Sequence, residues 1–264
     1  MNSIKISHEV PLCLLEESLE WCDYQYCLPH LLDEYEEYKN HFIRYKERGG
    51  YIIMDNSLHE LGHAYDFDRL MYWIDELEPD EFIIPDVWED MEASIANAKE
   101  WRNIRLPENV EKVVVVQAKT INEAFECTIT YKDLGYKKIC YSYGASYYND
   151  VCPHPNKDLG KALGRVYVIS TLYNQEALTK YDRVHLLGCS VPQEFNWYKD
   201  IKCIESIDTS NPVMAALENT VYSPSGLYRK PKANMNDHFR MPYNNINMIL
   251  LSNNLKQFKN INNL

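Results

Sequence analysis

VVVVQAKTINEAFECTITYKDLGYKKICYS, residues 113–142, reads as strand, helix, strand. VVVVQ (113–117) is an unbroken apolar run ending in one polar residue, and KICYS (138–142) is a second run of this kind. Continuous rather than alternating apolar runs belong to parallel strands covered on both faces. Between them, TINEAFECTITYKDLGY (120–136) has a helical pattern. Outward from this unit the same rhythm repeats. The further runs are PLCLL (11–15), YQYCL (24–28), YIIM (51–54), FIIP (82–85), RVHLL (183–187) and CIESI (203–207). Helical patterns lie between them at 31–50, 66–79 and 89–101; the first stops at Gly-Gly and the second at Glu-Pro, both good helix ends.

Eight candidate strands alternating with helices predict a single (β/α)8 barrel over residues 1–243. A doubly wound open sheet is the alternative, because the first two runs are poorly separated and 145–182 is a long connection. The Asn-rich segment 244–264 is expected to be helical around INMILL (246–251) and to fray beyond it.

Composition narrows the function. There are 27 Lys+Arg against 39 Asp+Glu, a formal charge of −12, with 45% hydrophobic residues. No apolar run approaches the roughly 18–20 residues of a membrane span, which excludes a membrane protein. The first twenty residues carry acids straight after a short apolar stretch, which argues against export. The eight cysteines (13, 22, 27, 127, 140, 152, 189, 203) form no CxxC pair, and several sit inside apolar runs. Free thiols in a reducing compartment are expected, hence a cytoplasmic protein, or one in the host cytoplasm if the source is viral. The acidic balance opposes broad affinity for nucleic acid, although a local basic patch can still supply it.

In parallel α/β folds ligands bind at the carboxyl ends of the strands. Here those positions are polar: Asp55-Asn56-Ser57 after YIIM, Asp86 after FIIP, Gln117 after VVVV, Tyr143-Gly144 after KICYS, Gly188-Cys189-Ser190 after RVHLL, and Asp208 after CIESI. Any one of these could cap a helix or begin a turn. Three carboxylates and an amide at the same end of successive strands point instead to a loaded barrel mouth.

The order MDNS…PDV…VVVVQ…YSYGAS…HLLG…SIDTSNP resembles the tRNA-guanine transglycosylase superfamily (queuine and archaeosine tRNA-ribosyltransferase-like), in particular its compact phage branch that inserts 7-deazaguanines into DNA. The resemblance spans about residues 20–215. It implies a (β/α)8 barrel that exchanges guanine for a 7-deazaguanine derivative at an N-glycosidic bond. On this resemblance Asp55 is the catalytic acid/base and Asp208 the nucleophile. Asp86 and Gln117 recognise the base, with Tyr143, Gly144 and Gly188 in the base-binding loops. The chemistry suits these groups. A carboxylate can attack the anomeric carbon as guanine leaves, giving a covalent sugar–enzyme intermediate. A second carboxyl protonates the departing purine and deprotonates the incoming one. A carboxylate also accepts from N1–H and the exocyclic amine of a guanine edge, while an amide offers donor and acceptor.

The implied partners are DNA, with tRNA the other candidate, and a free 7-deazaguanine base; no membrane is expected, and a homodimer is allowed. The chain departs from the tRNA-acting members in two places. Its loop reads DNSLHE where they have DSGGFQ, and no cysteine follows Asp208 to form their CxCxxC…His zinc site. No metal and no cofactor are therefore expected, and DNA is preferred as substrate.

Two other features compete for attention. HELGH (59–63) is a literal HExxH, the zinc-peptidase signature, with His59 and His63 as ligands and Glu60 as base; a Glu from a later helix, Glu78 or Glu81, would complete it. It starts only four residues after an apolar strand, and Arg69 stands where a third histidine would be. A metallopeptidase is the alternative enzyme, and a base-binding barrel without turnover the non-enzymatic one. His30 and His185 flank strands and read as hydrogen-bonded core histidines. The segment 225–240 gathers Arg229, Lys230, Lys232 and Arg240 with Tyr228 and Phe239, either a solvated loop or a strip contacting phosphates.

Overall fold

The computed structural model describes residues 4–264. Eight strands are formed: β1 (Lys5–Ser7), β2 (Gln25–Cys27), β3 (Ile52–Met54), β4 (Glu81–Ile83), β5 (Glu111–Val115), β6 (Lys138–Ser142), β7 (Arg183–Leu187) and β8 (Ile204–Asp208). They make one parallel sheet in the order β1-β8-β7-β6-β5-β4-β3-β2. Each strand lies beside its sequence neighbour, except that β1 pairs with β8, with Ser7 in register with Asp208. That order, with helices between the strands, is the (β/α)8 barrel of the TIM type. Among the described residues no helix is long and apolar enough to cross a membrane.

By its contacts the chain forms two compact units, Tyr24–Cys140 and Met1–Asp23 with Tyr141–Leu264. The core of the first comes from the unbroken runs, with Ile52, Ile53, Met54, Phe82, Ile83, Val113 and Val114 all buried. Below them Lys138 and Glu81 form a fully buried ion pair at 2.6 Å, and the Tyr51 hydroxyl donates to Glu81 at 2.8 Å. The buried charge of each is thereby matched.

Three expectations need correcting. The first strand is Lys5–Ser7, not residues 11–15. PLCLL instead makes a 3₁₀ turn (Leu12–Leu14) that runs into a helical turn (Leu15–Ser18), with Leu14 and Leu15 buried. A short apolar run is buried in either conformation, so periodicity does not separate them. The pattern 31–50 is two helices, α1 (Pro29–Glu34) and α2 (Glu36–Glu47), broken where Tyr35 turns extended. Helices α3 (Phe67–Leu77), α4 (Met91–Trp101) and α5 (Ile121–Asp133) follow β3, β4 and β5. The long connection holds α6 (Lys157–Asn174), capped by the Asn156 side chain, and α7 (Asn211–Leu217) follows β8.

The tail does not fray after residue 251: α8 runs from Met248 to Asn262. Leu250, Leu251, Leu255 and Phe258 bury one stripe of it. Its asparagines act as staples. Asn254 accepts from the Tyr222 amide at 3.1 Å and donates to the Thr220 carbonyl at 2.9 Å. Asn262 likewise accepts from the Asn196 amide and donates to the Pro192 carbonyl, each at 2.9 Å.

Candidate functional site

In the unit 24–140, three strand ends build one polar array. The amide of Asp55 donates to the Cys27 carbonyl at 2.9 Å, so the backbone keeps its sheet bond one residue past β3 and then turns. Ser57, fully buried, adopts a left-handed φ of 61°. A non-glycine residue there is strained by roughly 1–2 kcal/mol. The Ser57 hydroxyl meets Nδ1 of His30 at 2.8 Å, which fixes the turn. Burial lowers the His30 pKa, so the ring is held as a neutral hydrogen-bonding group.

Asn56 is thereby aimed at β4. Its Nδ2 donates to the Ile84 carbonyl at 2.9 Å and to Asp86 Oδ1 at 2.7 Å. Gln117 Nε2 donates to the other oxygen, Asp86 Oδ2, at 2.5 Å, while Gln117 Oε1 accepts from the Glu89 amide at 2.9 Å. Asp86 and Gln117 thus meet as the sequence reading expects, and Asn56 joins them. Burial raises the Asp86 pKa, and the two amide donors pull it back. An ionised carboxylate offers about four acceptor positions. Two are taken by the side-chain amides and a third by the Asp86 backbone amide, which leaves acceptor capacity for a ligand N–H.

In the other unit, β8 ends on Asp208, 3% exposed. Its Oδ1 is held by His185 Nε2 at 2.9 Å and faces the Gly188 amide at 3.4 Å. His185 Nδ1 meets the Ser206 hydroxyl at 2.8 Å. With Nε2–H donating to the carboxylate, Nδ1 accepts from the serine, so the ring is fixed at both ends. Burial pushes the Asp208 carboxyl up to about 7, against the Gly188 amide, the Arg165 charge and a hydrogen bond from Glu9, which favour the ionised form.

The loop that supplies Gly188 is tied down from beneath by Arg165 of α6. Its Nε pairs with Glu194 at 2.6 Å, its Nη1 donates to the Tyr141 and Leu187 carbonyls, and its Nη2 donates to the Gly188 carbonyl at 2.7 Å. Gly188 has a φ of +59°, and the Tyr143 ring lies directly over its Cα. The Lys230 ammonium sits 4.3 Å from the centre of that ring and donates to the Tyr143 hydroxyl. Gly144 accepts from the Lys161 ammonium at 2.9 Å.

The chain matches no protein-family model and no curated protein. The geometry of its strand ends therefore carries the functional reading.

The basic segment divides. Arg229, Lys232 and Arg240 are exposed, as is Tyr228, whereas Lys230 turns inward onto Tyr143 and Phe239 is buried. HELGH is not presented as a zinc motif. Its helical turn ends at Leu61, Gly62 closes it with a left-handed φ of 71°, and His63 lies exposed beyond it. His59 and His63 therefore share no helical face, and His59 instead packs 5.8 Å from the Trp88 ring. Arg69 pairs with Asp33. Among the described residues no three His, Cys, Asp or Glu side chains are grouped to hold a metal ion.

Sequence reading missed the roles of Asn56, Arg165 and Glu9, and took His185 as core alone. A signal existed for His185. In RVHLL and CIESID polar residues recur at every second position, His185 on one strand and Ser206 with Asp208 on the other, the spacing that puts side chains on one face. Arg165 had no such signal, since it lies in a helix whose partner residues are over twenty positions away.

Proposed function

We propose that this protein is a base-exchange transglycosylase, which replaces guanine in a polynucleotide with a 7-deazaguanine derivative. DNA is the preferred substrate and tRNA the other candidate. The observation that carries the reading is the Asp86 array: a buried carboxylate at a strand end, flanked on each oxygen by a side-chain amide. Such a group can accept from the N1–H or exocyclic amine of a guanine edge, and the second N–H of Gln117 can donate to its carbonyl.

In this reading Asp208 is the nucleophile. Its oxygen bonds to the anomeric carbon as the carbon–nitrogen bond to guanine breaks, and the incoming base reverses the step. His185 and Gly188 hold Oδ1, so the other oxygen is the one to attack. Asp55 gives a proton to the departing purine and takes one from the arriving base. A 7-deazaguanine lacks the basic N7 but keeps the edge that Asp86 reads, so one array serves both bases. Arg229, Lys232 and Arg240 supply phosphate contacts. The zinc site of tRNA-acting relatives needs three cysteines after the last strand; this chain has none there, and no step is routed through a metal.

The test is mass spectrometry of nucleosides from DNA and from tRNA after expression in cells supplied with 7-deazaguanine bases. A 7-deazaguanine nucleoside in DNA, absent with Asp208→Ala, supports the reading. Unmodified DNA and tRNA would count against it.

A further inference from the structure

Within the unit that carries Asp208, residues 223–233 form a strap outside any helix, and side chains of its neighbours clasp its backbone. Ser223 and Gly226 close a turn through their backbones. Gln193 then makes two bonds to Leu227, donating to its carbonyl at 2.8 Å and accepting from its amide at 3.1 Å. Gly226 has a φ of +98°, and a Cβ there would strike Gln193, so this turn requires glycine. Asn156 donates to the Tyr228 carbonyl, Asp158 of α6 accepts from the Lys230 amide at 3.0 Å, and Glu218 accepts from the Ala233 amide. A backbone clasped in this way is fixed, and it displays its side chains in a set pattern. Leu227 and Pro231 are buried and Lys230 turns in onto Tyr143, while Tyr228, Arg229 and Lys232 face outward, Tyr228 with 65% of its surface exposed. Among the described residues neither Arg229 nor Lys232 has an acidic partner, in a chain whose formal charge is −12.

The strap also lies close to Asp208. The Gly188 amide faces Asp208 Oδ1 at 3.4 Å, the Tyr143 ring lies over Gly188, and the Lys230 ammonium sits 4.3 Å from the centre of that ring. Tyr228 and Arg229 are the two residues before Lys230. Asp208 is only 3% exposed, so a sugar carbon reaches it only if its nucleotide leaves the base stack. That extrusion strips the neighbouring base of a stacking partner. We propose that residues 226–232 are a nucleic-acid strap, in which Tyr228 stacks on the unpaired base next to the exchanged nucleotide while Arg229 and Lys232 take neighbouring phosphates. The placement rests on the transglycosylase reading. The occupant follows from charge and shape: two unpaired cations call for an anion, and a flat exposed ring beside them calls for a planar apolar face. A single-stranded polynucleotide alternates the two. Every base has such a face, so Tyr228 adds grip without adding sequence preference.

The test uses the full-length protein and a fluorescently labelled single-stranded DNA of thymidines alone, which holds no guanine to exchange, beside the same strand built from abasic sugars. Binding is followed by fluorescence anisotropy across a range of salt. Wild type should bind the thymidine strand, with affinity falling as salt rises. Tyr228→Ala should bind it about tenfold more weakly yet match wild type on the abasic strand, and Tyr228→Phe, which keeps a ring, should restore the loss. Arg229→Ala and Lys232→Ala should weaken both strands alike, each lowering the slope of log affinity against log salt by about 0.7. All three side chains are exposed, so these variants should melt with wild type. Equal thymidine binding by Tyr228→Ala and wild type, or unchanged salt slopes, would overturn the proposal, as would a wild type that ignores the strand at low salt. Exchange of labelled guanine into DNA separates this proposal from the reading it rests on. Strand binding with the expected losses but no exchange by wild type would keep the strap and remove the transglycosylase reading. Exchange by wild type with a KM for DNA that Tyr228→Ala leaves unmoved would do the reverse.

Discussion

Gly188→Ala probes the loop that faces Asp208, and its cost can be worked from the geometry. The backbone at Gly188 has a φ of +59°, which an alanine occupies at a cost of about 1–2 kcal/mol. Its Cβ would lie 2.4 Å and 2.7 Å from two ring carbons of Tyr143, well inside contact distance. The ring cannot swing freely, because Lys230 grips its hydroxyl and Arg165 holds the carbonyls on either side of the turn. Overpacking of this kind costs about 1–3 kcal/mol. The sum is about 2–5 kcal/mol, or a fall of very roughly 5–15 °C in Tm for a chain of this size. Urea unfolding of wild type, Gly188→Ala, Tyr143→Ala and the double variant separates the terms. In the Tyr143→Ala background the glycine change should cost only the backbone part, so the coupling equals the clash, about 1–3 kcal/mol. Equal costs in the two backgrounds would show that the ring does not lie over Gly188. A total below about 0.5 kcal/mol would refute the left-handed turn as well.

Arg165→Met should cost about 3–5 kcal/mol in urea unfolding, because it takes from the buried Glu194 its only cation among the described residues and removes the guanidinium donors from the Tyr141, Leu187 and Gly188 carbonyls. Adding Glu194→Leu should recover part of the loss, and a single-variant cost under 1 kcal/mol would contradict the buried pair. Asp208 has a folded pKa raised to about 7 by burial, above its unfolded value, so the folded state holds the proton more tightly and stability falls as pH rises from about 4 through 7. Asp208→Asn should remove that fall, so the variant gains on wild type as pH rises over this window in thermal unfolding; a gap that narrows would have the wrong sign. Elemental analysis of the purified protein should find no stoichiometric zinc, and His59→Ala should leave both metal content and Tm as they are. One zinc per chain lost on that change would revive the peptidase.

The fold was legible where strands are long and apolar. The bounds of KICYS and RVHLL match β6 and β7 residue for residue, and the other buried runs fall within two residues of their strands. β1 was not legible, because its three residues contain one apolar side chain, Ile6, and its strand character comes from pairing with β8. The tail was misread because asparagine has low helix propensity. Asn254 and Asn262 are nonetheless spent on tertiary hydrogen bonds that the local pattern cannot show. Strand-end positions gave Asp86 and Gln117 correctly as neighbours, since each ends a strand next to the other in the sheet. The supports of Asp208 come from residues 9, 165 and 185, and no local spacing brings these together.

The central claim is the covalent step at Asp208, and a denaturing gel tests it directly. Enzyme is incubated with a labelled DNA duplex or tRNA and a competing base, then denatured and resolved. Wild type should show a band shifted by the attached polynucleotide, and Asp55→Asn should form and resolve it more slowly. Asp208→Ala and Asp208→Asn should show none while keeping the wild-type fold. A shifted band that survives Asp208→Ala would remove Asp208 from the reaction, and the account of this site with it.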